Sequence, residues 1–283
     1  MHKFKITSVM FAAVLPLAAC GSTAGTANTV AADCKPVVSG VETATKGKLT
    51  AAVAEYPPYV SMKVGSLSGV DGEVLKRVAK DLCLEPDAKT SSFTAIIESV
   101  KNGSVDLTAG NWYINEERGQ QFAISEPVYL DKMALLTSNG ADTIDGVSGG
   151  TVGTPQGYLW VSDLQKTLGT DKVKLYATED AVYQDVKSGR AGAGVMTYGA
   201  ALQLVKNNND NKLKVAELKP DERVQASVGA AQTAVLVNKG KTTLRDAVNQ
   251  IVDKMREDGS LKKALEDNGL PGTAADVKAA AAG

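Results

Sequence analysis

From residue 48 onward, short apolar runs alternate with stretches in which apolar residues recur every three or four positions, the pattern of strands interleaved with amphipathic helices. Residues 48–54 read as a buried strand, and Asp71 is placed to cap a helix whose Val74, Leu75, Val78, Ala79 and Leu82 share one face. Ile96, Ile97 and Val100 mark a second helix that Gly103 is placed to end, and residues 105–110 return as a strand. The first unit closes with Lys132 to Thr137, and a Gly-, Ser- and Asp-rich stretch over 139–150 reads as a linker. The alternation then repeats, with strands at 151–154, 173–177 and 193–197 and helices at 159–168 and 179–187. A last strand near Thr233 to Asn238 precedes a long helix carrying Leu244, Val248, Ile251, Val252 and Met255 on one face. This order predicts two successive α/β lobes; periodicity leaves open which lobe takes the final strand and helix.

The two ends follow different rules. A short basic start (His2, Lys3, Lys5), an apolar run from Ile6 to Leu17 and small residues before a cysteine read as an export signal over residues 1–19. The apolar run is shorter than the roughly 20 residues a membrane-spanning helix needs. Leu17-Ala18-Ala19-Cys20 resembles the bacterial lipobox, which implies lipidation of Cys20 and anchoring to a membrane surface, on the periplasmic or extracellular face of the cell envelope. Residues 20–46 then read as the lipidated cysteine and a flexible tether, and the low-complexity residues 273–283 as a disordered tail.

Composition mainly excludes. The formal charge of −1 becomes more negative once Lys3 and Lys5 leave with the signal, which does not suit nucleic acid. The only histidine is His2, so the exported chain lacks the base of Ser-His-Asp and Cys-His sites and any histidine metal ligand; no metal or other cofactor is expected. With Cys20 committed to lipid, Cys34 and Cys83 remain as an even pair in an oxidising compartment, read as a disulfide in preference to two buried thiols.

Several blocks in order resemble the extracellular solute-binding proteins of polar amino-acid ABC importers: EYPPYV at 55–60, GVDGEVLKRVAKDL at 69–82, VKNGSVDLTAG at 100–110, INEERGQQFAISEPVYL at 114–130, VGTPQG at 152–157, KSGRAGAGVMTYGA at 187–200 and REDGSLKKALEDNGL at 256–270. The resemblance implies a two-lobed α/β fold of the periplasmic-binding-protein type II class, with the C-terminal segment returning to the first lobe. Lobe one is then expected over 47–136 and 234–272 and lobe two over 137–233, with crossings near Leu135 to Ser138 and Gln232 to Val237. It also implies a small-molecule solute, an ABC permease as membrane partner and a monomeric receptor without enzymatic activity. A ligand-sensing envelope receptor and a dehydratase on the same fold are the alternatives.

Candidate ligand-binding residues follow from the same blocks. Arg118 matches the arginine that grips a ligand carboxylate, on a short helix that Asn115 is placed to cap; a pairing with Glu116 or Glu117 is the alternative. Tyr56 falls where an aromatic ring packs on the solute, before Pro57-Pro58. Asn111, Trp112 and Tyr113 follow a strand and are expected on a cleft loop, Asn111 standing where the family usually has glycine. Gln156, Gly157 and Tyr158 occupy a turn whose backbone amides meet the carboxylate. Thr197 stands where an aspartate commonly holds the α-ammonium group, so a negative charge is missing there, and Glu55 is the candidate for supplying it.

Overall fold

In the computed structural model, residues 30–277 are described, except residues 32, 64 and 230. The signal segment, Cys20, the start of the tether and the last six residues lie outside the described residues. Among the described residues no helix is long and apolar enough to cross a membrane.

The chain opens with β1 (Lys48–Val53), a hairpin of β2 (Ser61–Lys63) and β3 (Ser66–Ser68), α1 (Val70–Asp81), β4 (Glu85–Thr90), α2 (Phe93–Lys101) and β5 (Leu107–Tyr113). The α1 face predicted from spacing is the buried one, but its cap is Gly69, not Asp71. At φ 90° a side chain on Gly69 would collide with the Tyr59 carbonyl, so glycine is required there. Ser92 caps α2, its side chain accepting from the Ala95 N–H. The chain continues with α3 (Glu116–Gln121), β6 (Phe122–Ile124) and β7 (Leu130–Asp131).

One residue later, β8 (Met133–Thr137) enters the other lobe, followed by β9 (Val152–Pro155), α4 (Val161–Leu168), β10 (Val173–Tyr176), α5 (Glu179–Lys187), β11 (Ala193–Thr197), α6 (Tyr198–Asn207) and β12 (Lys214–Glu217). The chain then returns through β13 (Ala231–Asn238) to α7 (Thr242–Glu257) and α8 (Ser260–Asp267). These last helices pack on α1, where Arg77 bridges Asp81 and Asp258 at 2.9 and 3.0 Å.

The two sheets share a plan. In the first the order is β4-β1-β5-β13-β6, with β1, β4 and β5 parallel and β13 antiparallel to β5. In the second it is β10-β9-β11-β8-β12, with the first three parallel and β8 antiparallel to β11. In each lobe the antiparallel strand in fourth place is thus the one by which the chain enters from a crossing. Every residue of β8 is buried: Met133 and Leu135 pack in one cluster and Ala134 and Leu136 in another, so the second sheet is covered on both faces.

Several boundaries differ from the sequence reading. Residues 133–136, expected in lobe one, pair in the second sheet, and residues 231–233, expected in lobe two, pair in the first, so both crossings fall a few residues early. The 139–150 stretch is not the linker but a loop within lobe two, with a 3-10 turn at Asp145–Val147 and Ile144 buried beneath it. The tail continues past Thr273 in a 3-10 turn over Gly272–Ala275 that buries Ala274. The latter part of the tether is likewise pinned: Cys34 is bonded to Cys83 with Cα atoms 5.8 Å apart, and Val38 and Val41 pack on the core. Closing a loop of 49 residues contributes about 4 kcal/mol on the chain-entropy model.

Candidate functional site

Where the two lobes meet, they enclose a narrow cavity, with about 20 Å³ open to the centre of a water molecule, lined among others by Tyr56, Trp112, Tyr113, Arg118, Tyr158 and Thr197. Aromatic rings make most of its wall and touch across the lobes. Phe93 meets Tyr158 edge-on at 5.0 Å, Tyr158 meets Trp160 at 5.0 Å, and Tyr56 lies 5.5 Å from Phe93.

Lobe one supplies the cation. Asn115 caps α3 by accepting from the Arg118 N–H at 2.8 Å, and the guanidinium donates to the Tyr113 carbonyl at 2.6 Å with its carbon 5.1 Å from the Trp112 ring. Among the described residues it forms no salt bridge, so neither Glu116 nor Glu117 takes it up. Burial lowers its pKa to about 10, and it stays charged at neutral pH. One protein acceptor for five N–H donors leaves most of its hydrogen-bonding capacity for something else.

Asn111, Trp112 and Tyr113 are not on a loop: they are the last three residues of β5, which is buried throughout. Asn111 has φ 59°, the left-handed region that glycine takes freely and asparagine tolerates. Its backbone N–H donates to Asp71 at 3.0 Å and its side-chain amide to Asp131 at 2.5 Å. Asp71 also accepts from the Tyr129 hydroxyl at 2.6 Å, which is why it sits inside the helix instead of capping it. Asp131, the last residue before the first crossing, further accepts from Tyr59 at 2.8 Å and Tyr113 at 3.2 Å. Burial raises Asp71 to about 7 and Asp131 to about 6, against the hydrogen bonds that favour their charged forms.

Lobe two supplies an acid that the sequence reading missed. Glu179, the first residue of α5, is only 6% exposed, and its Oε1 accepts from the Tyr158 hydroxyl at 2.7 Å and the Tyr56 hydroxyl at 3.0 Å. The Tyr56 hydroxyl also lies 2.6 Å from Thr197 Oγ1. Both Tyr56 bonds cross between the lobes. Burial raises Glu179 to about 8, although the Tyr158 and Tyr56 hydroxyls and the Thr197 backbone amide favour its charged form. A signal did exist: a threonine at 197 in place of an acid invites a search at the neighbouring strand ends, and Glu179 is the third residue after β10.

Three expected residues are elsewhere. Glu55 is exposed and turned to the β2 hairpin, accepting from the Ser61 hydroxyl at 2.6 Å and the Met62 N–H at 2.8 Å, so it does not supply the missing charge. Gln156 and Gly157 are exposed and outside the lining, at a turn that approaches α2 near Phe93; only Tyr158 of that turn reaches the cavity. Phe93, Leu159 and Trp160, which line it, carry no polar signal and read in the sequence as ordinary core.

Two hinged α/β lobes joined by two crossings, with a charged and aromatic cavity between them, define a cleft-type binding protein. The chain belongs to the bacterial extracellular solute-binding proteins, family 3, whose model matches residues 49–269. Among curated relatives it is similar to the L-cystine-binding protein TcyJ of Escherichia coli, 26% identical over 216 residues covering 75% of this chain and 78% of that one. It is also similar to the arginine-binding extracellular protein ArtP of Bacillus subtilis, 26% identical over 272 residues covering 93% and 96%. Among solved structures, an ancestral arginine-binding protein bound to glutamine matches with TM-score 0.71 and 25% identity over 80% of this chain and 99% of the other.

Proposed function

We propose that this protein is the substrate-binding lipoprotein of an ABC importer, closing on a small carboxylate-bearing solute, an amino acid or a derivative, and delivering it to a membrane permease. The observation that carries the reading is Arg118: a partly buried guanidinium facing the interlobe cavity, with one protein hydrogen bond and no carboxylate partner. A bidentate carboxylate satisfies such a group, and a ligand gripped from both lobes stabilises the closed form selectively. Tyr56, Trp112, Tyr113 and Tyr158 pack the solute's carbon atoms, while Asn111 and Thr197 shape the wall. The cavity of the closed form is narrow, so entry and exit both require the lobes to part. Cys20 carries the lipid that keeps the monomeric receptor at the outer face of the membrane, and it acts by binding alone.

A thermal-melt series with the twenty standard L-amino acids, L-cystine and simple carboxylic acids tests the reading, because a ligand of the folded state raises its melting temperature by mass action. At least one should raise it; a flat response to all would overturn the assignment. Mass spectrometry of the N-terminal peptide should find Cys20 as the acylated first residue.

A further inference from the structure

Glu179 is the one buried acid of the cleft that the binding of a carboxylate does not use. Its position in α5 has an ordinary explanation, since acidic residues suit the first turn of a helix. The geometry argues against that as its role. Thr178 already caps α5, its hydroxyl accepting from the Ala181 N–H at 3.2 Å, and a residue serving the helix dipole has no reason to be buried. Instead the side chain reaches inward to two tyrosine hydroxyls that line the cavity. Its second oxygen, Oε2, is buried and has no hydrogen-bond partner. No salt bridge to it forms among the described residues, and the charge nearest in effect is Asp131, which opposes its ionisation. An acid caged by Tyr56, Tyr158 and Thr197, with one oxygen unmatched and no cation, is a site that lacks its positive partner.

We propose that Glu179 is a specificity-determining residue that holds the protonated amino group of the solute, so that Arg118 on one lobe and Glu179 on the other select zwitterions. This rests on the solute-receptor reading and narrows it. A primary ammonium has three donors, which suits the unmatched Oε2, a Tyr56 or Tyr158 hydroxyl and Thr197 Oγ1 together. Glu179 thereby supplies the negative charge that Thr197 lacks, from one hydrogen bond behind the wall. Without a cation, burial keeps Glu179 largely protonated at pH 7, because its pKa stands at about 8. An arriving ammonium favours the carboxylate, so binding releases a proton. The groups facing Glu179 are Tyr56, Tyr59 and Tyr113 from lobe one, Tyr158 and the Thr197 amide from lobe two, and Asp131 at the crossing; of these only Asp131 also titrates between pH 5 and 9.

The test is calorimetric titration of the wild-type protein and Glu179→Gln with the tightest-binding member of the twenty standard L-amino acids and L-cystine, and with its analogue carrying hydrogen in place of the ammonium group. The expected result is that wild type prefers the amino acid by about 100-fold, and that Glu179→Gln erases most of that preference while melting no lower than wild type. Titration at pH 7 in buffers of different ionisation enthalpy should further show close to one proton released per amino acid bound by wild type, a readout that does not depend on the variant folding. Equal losses for both ligands in Glu179→Gln, or no proton release by wild type, would overturn the role of Glu179. Equal wild-type affinity for the two ligands would also overturn it while leaving a carboxylate receptor in place. Wild-type protein that binds a simple carboxylic acid but none of the amino acids would overturn this inference alone, and protein that binds neither would remove the receptor reading with it.

Discussion

Two buried acidic regions of the molecule differ in how far their oxygens are satisfied. At the crossing, Asp131 collects donors from Tyr59, Tyr113 and Asn111, and its neighbour in the network, Asp71, takes the Tyr129 hydroxyl and the Asn111 backbone. In the cleft, Glu179 has two hydroxyls on one oxygen and nothing on the other. All three are pushed upward by the same cause, burial, yet the order runs from about 6 at Asp131 through about 7 at Asp71 to about 8 at Glu179. Asp131 meets the most side-chain donors and stands lowest, whereas Glu179 alone of the three leaves a buried oxygen without a partner and stands highest. A buried acid held in a network of tyrosine and asparagine donors belongs to the architecture, whereas one with a buried oxygen left unmatched just behind a cavity wall is poised for a partner that comes and goes.

Substitutions should separate the two regions, and the largest effect belongs to the crossing. Asp131→Ala strands three buried donors and should destabilise the fold by about 3–6 kcal/mol in urea unfolding, counting roughly 1–3 kcal/mol for each less relaxation. A loss below about 1 kcal/mol would show that the network is not structural. Next is Arg118→Ala, expected to weaken solute binding by about 2–5 kcal/mol while leaving unfolding nearly unchanged, since the guanidinium makes one protein hydrogen bond.

The comparison sharpens with pH. A carboxyl raised by folding is more protonated in the native than the unfolded state, so the stability it adds is present at low pH and lost as pH rises through its folded value. Asp131 and Asp71 complete that loss by about pH 7, which leaves Glu179 to act up to about pH 8. Glu179→Gln should therefore match the wild type near pH 5 and exceed it at pH 8, by on the order of 3 kcal/mol in the absence of solute. Parallel pH profiles would place Glu179 in the same class as the hinge acids. The smallest expected effect is steric: a methyl group on Gly199, at the start of α6, meets the Tyr59 hydroxyl at 2.6 Å and Leu270 at 2.7 Å across the lobe boundary. Gly199→Ala should resist closure and weaken binding by about 1–2 kcal/mol, with scattering showing a more open average form.

Much of this architecture was legible because it is written in local pattern. Helix 179–187 and strand 193–197 carry their own signals, an N-capping threonine at 178 and an apolar run, and both have the predicted limits. The crossings were misplaced because Met133 to Thr137 is apolar at every position but the last, and a run buried on both faces does not say which sheet it joins. Asp71 was read as a cap because the Tyr129 and Asn111 groups that bury it arrive from 40 or more residues away. Glu179 was hidden for the same reason: its role depends on Tyr56, 123 residues earlier in the chain. Arg118 was legible only through its surrounding block, since arginine beside two glutamates otherwise reads as a surface residue.

The bond between Cys34 and Cys83 also decides where mechanical load enters the molecule. Cys83 lies just beyond the end of α1, so a pull arriving along the chain from before Val30 is delivered to the first sheet's helical layer and bypasses β7, β8 and β13. The second half of the clamshell is then the free jaw. Immobilising the protein by that end should leave its opening and shutting as fast as in free solution.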